Sequence, residues 1–92
     1  MDDFFNFGID DAFIRAERSK ARALRKTRWW QQVTAAGTCH YCGKKVGFKK
    51  LTMDHVVPLS RGGRSTKGNI VPCCKQCNNA KKTDLPPELE NL

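Results

Sequence analysis

Hydrophobic and polar positions divide the chain into stretches of different texture. From Ile9 or Asp10 to about Ala36 the pattern is helical, with no residue that breaks a helix and Gly37 as a natural stop. At about 100° per residue, Ile9, Phe13, Ala16, Ala23, Leu24 and Trp30 fall on one broad face. Arg15, Arg18, Arg22, Arg25 and Lys26 fall opposite. The stripe is imperfect: Lys20 interrupts it, and Ile14, Ala21 and Trp29 sit among the basic residues. The expectation is one amphipathic helix covering the C-terminal module. Apolar residues on a second side leave open a homodimer packed through this N-terminal helix.

After Thr38 the period changes. Cys39-His40-Tyr41-Cys42-Gly43 reads as a tight knuckle, and Lys44 to Lys50 as a basic turn around Gly47. Leu51 to Val57 predicts a strand that ends near Pro58, and Ser60 to Gly68 a loop rich in glycine and basic residues. Asn69 to Pro72 predicts a second short extended segment, and Cys74 to about Lys82 a short helix stopped before Pro86-Pro87. The expected fold class is α+β, one domain in three parts: a helical segment at 1–36, a module at 37–85 and a tail at 86–92.

Composition changes this picture in one respect. The 92 residues are 39% hydrophobic, with the aromatic ones concentrated in the N-terminal third, so the C-terminal half is short of core-forming side chains. A domain this small needs a staple. Charge changes it further. All 17 basic residues lie between Arg15 and Lys82, where the only acids are Glu17 and Asp54; the other seven acids lie in the two ends. A positive field this dense points to a polyanion, with nucleic acid as the expected partner. The acidic start lacks the basic region of a signal peptide, and no apolar run reaches the length of a membrane span. The expectation is a cytoplasmic protein, no membrane, and reduced thiols.

The staple is legible in the cysteines. Cys39-x-x-Cys42 and Cys74-x-x-Cys77 each present two thiolates, and together they predict a closed four-sulfur Zn²⁺ site of structural type. The pairs are 31 residues apart, so the intervening segment must form structure of its own. Cys73 is expected to be a free buried thiol, and His40, inside the knuckle, to face outward.

Between and after the pairs lie Asp54-His55-Val56-Val57-Pro58, then Gly68-Asn69-Ile70-Val71-Pro72, then Cys77-Asn78-Asn79-Ala80-Lys81. An Asp-His dipeptide alone says little, but this order is specific. The stretch from Cys39 to Lys82 resembles the HNH endonuclease family in its four-cysteine form. The run Arg22 to Ala36, with Trp29-Trp30, is similar to leader helices of that family. The resemblance implies a ββα-metal fold and a metal-dependent DNA endonuclease of low sequence specificity. In it Asp54 and Asn78 would hold a catalytic Mg²⁺ or Mn²⁺, with Asn79 the weaker alternative to Asn78. His55 would be the general base, and Asn69 would hold the loop and orient His55. Lys81 occupies the family's lysine position and would contact phosphate. Arg61, Arg64 and Lys67 on the glycine-containing loop are further candidates for DNA binding. Two other readings fit the cysteines and the charge: a non-catalytic zinc-containing nucleic-acid-binding module, and an accessory protein docking through Phe4, Phe5, Phe7 and the long helix. The first does not explain why an acid at position 54 stands beside His55 in a basic stretch; the second is a protein that has lost activity.

Overall fold

The computed structural model describes residues 10–83. Phe4, Phe5, Phe7, Ile9 and the tail from 84 onward lie outside the described residues. The elements run α1 (Asp11–Arg25), α2 (Arg28–Thr34), β1 (Leu51–His55), β2 (Ile70–Cys74) and α3 (Lys75–Thr83), with short 3-10 turns at Phe48–Lys50, Leu59–Arg61 and Lys67–Asn69. The fold is α+β. β1 and β2 pair antiparallel with Thr52 opposite Cys73 and His55 opposite Ile70, and α3 packs on both strands.

The expected single helix is divided in two. Thr27 takes an extended backbone and caps α2: its hydroxyl donates to the Leu24 carbonyl (2.6 Å) and accepts the Trp30 amide (3.3 Å). A threonine hydroxyl competes with the helix for backbone groups in this way. The break lets α2 turn Trp30 inward, where it is buried. Asp10 caps the start of α1 through the Phe13 amide at 2.9 Å.

The inward face of α1 also differs from the expected stripe. Ala16 and Ala23 are exposed, whereas Glu17 and Ala21 are buried and Phe13, Ile14 and Leu24 half-buried. Glu17 is 2% exposed because it is fully partnered. Its Oε1 accepts the Ser65 amide (2.6 Å), its Oε2 pairs with the Lys20 ammonium (2.9 Å), and its backbone carbonyl accepts the Ser65 hydroxyl. These bonds dock α1 onto the loop between the strands. Arg64, over the Phe13 ring, and Lys67, over the Trp29 ring, add cation–π contacts along the same seam.

The hydrophobic core is as thin as composition suggests. Among the described residues the buried apolar side chains are Ala21, Trp30, Ile70 and three cysteines, Cys39, Cys73 and Cys74. The loop after β1 is held by backbone proximity instead. A Cβ on Gly63 would stand 1.8 Å from the Val57 carbonyl oxygen, so any larger residue forces the loop apart. No described helix is long and apolar enough to cross a membrane.

The Ser65 amide, then Lys20, holds the Glu17 carboxyl below the usual carboxylate range. A depressed folded-state pKa contributes stability above the unfolded value, near 4.3, that is lost as pH falls through the folded value. Glu17→Gln should therefore be less stable than the unaltered chain by about 1–2 kcal/mol at pH 7. That gap should close toward pH 3, as read by denaturant melts of both proteins at each pH.

Candidate active site and metal centre

Two sites share the strand pair. At one end the four sulfurs of Cys39, Cys42, Cys74 and Cys77 lie within 4.8 Å of one another. The first knuckle is shaped by Cys39 N–H to the Lys44 carbonyl (3.0 Å) and tied to β2 by His40 N–H to the Pro72 carbonyl (2.8 Å). The second opens α3. In each, the amide two or three residues on donates to a sulfur: Tyr41 to Cys39 and Cys77 to Cys74, both at 3.4 Å. Burial raises the Cys39 pKa, but amide donors from Cys42, Cys74 and Tyr41 outweigh it and bring the thiol down to about 6. The geometry fits a tetrahedral thiolate-bound ion. A metal–sulfur bond of about 2.3 Å gives a tetrahedron edge of about 3.8 Å, and Cys42 Sγ to Cys74 Sγ is 3.8 Å.

Cys73 stands apart. It is fully buried, its thiol donates to the Cys74 carbonyl at 3.3 Å, and burial pushes it up to about 12. It is the free thiol expected, and His40 is exposed.

At the other end of β1, successive side chains take opposite faces of the sheet. Thr52 and Asp54 meet α3. The Thr52 hydroxyl donates to the Cys73 carbonyl (2.8 Å), so it must accept from Asn78 Nδ2 (2.9 Å), which fixes the amide and directs Oδ1 away. Asp54 is buried, and its Oδ2 accepts the Tyr41 hydroxyl (2.6 Å) and the Lys81 ammonium (2.8 Å). Lys81 also donates to the carbonyls of His55 (2.9 Å) and Val56 (3.2 Å) and to Tyr41 Oη (3.2 Å). A carboxylate, two carbonyls and a phenol thus meet the Lys81 ammonium, while the Asp54 carboxylate and the Asn78 amide oxygen are hard donors of the kind that Mg²⁺ and Mn²⁺ favour. Burial and then Asp54 raise the Tyr41 pKa, keeping the phenol protonated as a donor.

Met53 and His55 face the other way, toward α1. They line a groove of about 350 Å³ with Leu59 and with Arg18, Ala21, Arg22 and Arg25. His55 Nε2 lies 2.9 Å from Ser65 Oγ. Burial lowers the His55 pKa despite the nearby carboxylates of Asp54 and Glu17, so the ring is neutral at pH 7.

The sequence candidates are thus brought together in part. Asp54 and Lys81 pair at the end of β1, the His55 ring turns to the opposite face, and Asn78 lies one helical turn back on Thr52. The Asn69 side chain staples the loop: Oδ1 accepts the Val57 amide (2.8 Å), and Nδ2 donates to the carbonyls of Val57 (3.1 Å) and Arg64 (2.9 Å). Asn69 bears on His55 through that loop. Lys81 is engaged with Asp54, while Arg64 and Lys67 lie on aromatic rings and Arg61 is exposed on its 3-10 turn. Tyr41, Glu17 and Ser65 were not foreseen. Glu17 carried one signal, that of an isolated acid in a basic stretch.

Loss of one ligand should unfold the module, since thiolate-bound metal supplies on the order of 10 kcal/mol in domains this small. Cys42→Ser and Cys77→Ser should lose the bound ion and the strand signal in circular dichroism. Cys73→Ala should keep one ion per chain by elemental analysis.

Comparison with known proteins agrees with this arrangement. The family model described as HNH endonuclease matches residues 39–92. The chain is 39% identical over 44 residues to the CRISPR-associated endonuclease Cas9 of Actinomyces naeslundii and 41% over 44 residues to that of Corynebacterium diphtheriae; each match covers 47% of this chain and 4% of the relative. It is 30% identical over 76 residues to the type IV methyl-directed restriction enzyme EcoKMcrA of Escherichia coli K12, covering 76% of this chain and 24% of that protein. A match over more than half of the sequence, spanning both cysteine pairs and the Asp54-His55 strand, establishes that the chain belongs to the HNH endonuclease family.

Proposed function

We propose that the protein hydrolyses phosphodiester bonds of DNA, as a divalent-metal-dependent endonuclease of low sequence specificity. One observation carries this: the end of β1 sets the His55 imidazole over an arginine-lined groove and, on the residue before it, a buried carboxylate held by Tyr41 and Lys81. His55 takes the proton from the attacking water, a role that suits a neutral imidazole at pH 7. Asp54 and the Oδ1 of Asn78 hold Mg²⁺ or Mn²⁺, with Asn79 the alternative. When bound, that ion neutralises charge on the phosphate and stabilises the leaving 3′ oxygen. Lys81 exchanges Asp54 for a phosphate on substrate binding. Asn69 keeps the loop in register beneath His55.

The structural ion of the four cysteines is Zn²⁺, which the sulfur spacing and the reduced thiols of a cytoplasmic protein favour. It fixes the start of α3, which carries Asn78 and Lys81. The helical segment at 1–36 and the module at 37–85 act as one unit, with α1 forming one wall of the groove. Its Arg18, Arg22 and Arg25, at helical spacing, track the DNA backbone together with Arg61, Arg64 and Lys67. Phosphate contacts dominate, so affinity depends little on sequence.

Two measurements test this. Purified protein with Mg²⁺ or Mn²⁺ should nick supercoiled plasmid, and His55→Ala should lower the rate by about 10²–10⁴ while leaving DNA binding intact. Absence of nicking with either ion would leave the non-catalytic zinc-containing nucleic-acid-binding module as the reading.

Duplex affinity of His55→Ala should fall on the order of a hundredfold between 50 and 200 mM salt, as roughly four to six phosphate contacts require. Arg22→Ala and Arg61→Ala should each lower the slope of log K against log salt by about one unit on unrelated duplexes alike. A flat salt response would defeat the phosphate-tracking account.

A further inference from the structure

His55 is hydrogen-bonded to helix α1 through a single residue, Ser65, on the loop between the strands. Ser65 Oγ lies 2.9 Å from His55 Nε2 and 2.5 Å from the backbone carbonyl oxygen of Glu17. A carbonyl oxygen only accepts, so the one hydroxyl hydrogen of Ser65 is committed to Glu17. The oxygen that remains is an acceptor, and the imidazole must be the donor. The Ser65 amide is held in turn by the Glu17 carboxylate at 2.6 Å, and both residues are buried. Ser65 therefore has neither a free hydrogen nor room to turn.

We propose that Ser65, clamped at its amide and its hydroxyl by Glu17, is the positioning residue of the nuclease site: it holds His55 with the proton on Nε2 and leaves Nδ1 as the atom that receives the proton of the attacking water. The assignment rests on the endonuclease reading for its catalytic half, and on geometry alone for the tautomer. The ring nitrogen that carries the proton is set by the hydrogen bond made there. Glu17 lies outside the matched residues 39–92, so in this chain the helical segment supplies part of the catalytic apparatus.

The test joins spectroscopy to kinetics. In the zinc-loaded full chain labelled with ¹⁵N at histidine, His55 should show a protonated Nε2, its hydrogen shielded from exchange with water, and an unprotonated Nδ1. In Ser65→Ala the shielded Nε2–H signal should disappear. The nicking rate at saturating DNA should fall about tenfold or more, a typical cost of losing the group that orients a histidine, with KM changed less than twofold. Zinc content and circular dichroism report that the variant is folded. A proton on Nδ1 in the unaltered protein would overturn the assignment, and so would a Ser65→Ala variant that keeps both the signal and the rate. The spectrum needs no activity. If the unaltered protein fails to nick plasmid, the endonuclease reading falls, and the tautomer is still decided by the labelled histidine.

Discussion

Four sulfurs converge at one end of a two-stranded sheet, and in a chain with so little apolar core that convergence decides whether the rest exists. Thiolates within a few ångström of one another repel, and a cation among them reverses the sign of the interaction. The first knuckle is bonded to β2 through His40 and Pro72, and the second begins α3. One ion coordinated there would fix the pairing of the strands and the direction of the helix at once. Every group on the Asp54 side of the site depends on it: Tyr41 sits inside the first knuckle, and Asn78 and Lys81 follow the second.

The His55 side has a different foundation. It faces α1, and what holds α1 in place is a buried carboxylate rather than a hydrophobic seam. A buried acid is stabilising only when its charge is met, and Glu17 is met by an ammonium and a backbone amide. The two halves of the site thus answer to two unrelated interactions, sulfur coordination on one face of the sheet and an ion-paired glutamate on the other.

Much of this was legible in the residues. The cysteine spacing located the four-sulfur cluster, the order of Asp54, His55, Asn69 and Asn78 pointed to the family, and the lack of apolar residues after Thr38 signalled a thin core. What the pattern missed has a common cause. Thr27, Glu17 and Ser65 act through hydrogen bonds to backbone groups, which leave no periodic trace. A helical wheel weights Ala16 and Ala23 as inward and Glu17 as outward because it scores side chains by polarity. Here a polar residue is inward because a loop distant in sequence supplies its partners. Arg18, Arg22 and Arg25, which the wheel assigns to solvent, line the groove beside His55 for the same reason: Ala21, on their side of the helix, is the residue that packs.

Adjacent placement of Asp54 and His55 has a consequence for how tightly β1 must be held. The two side chains lie on opposite faces of a pleated strand, one toward α3 and one toward α1. A slip of one residue in the pairing of β1 with β2 would exchange their surroundings. The carboxylate would then leave the ammonium of Lys81 and turn toward the acid of Glu17, and the imidazole would lose its Ser65 partner. The slipped register is thus penalised on both faces at once, by a carboxylate parted from its counter-ion on one and an imidazole parted from its hydrogen bond on the other.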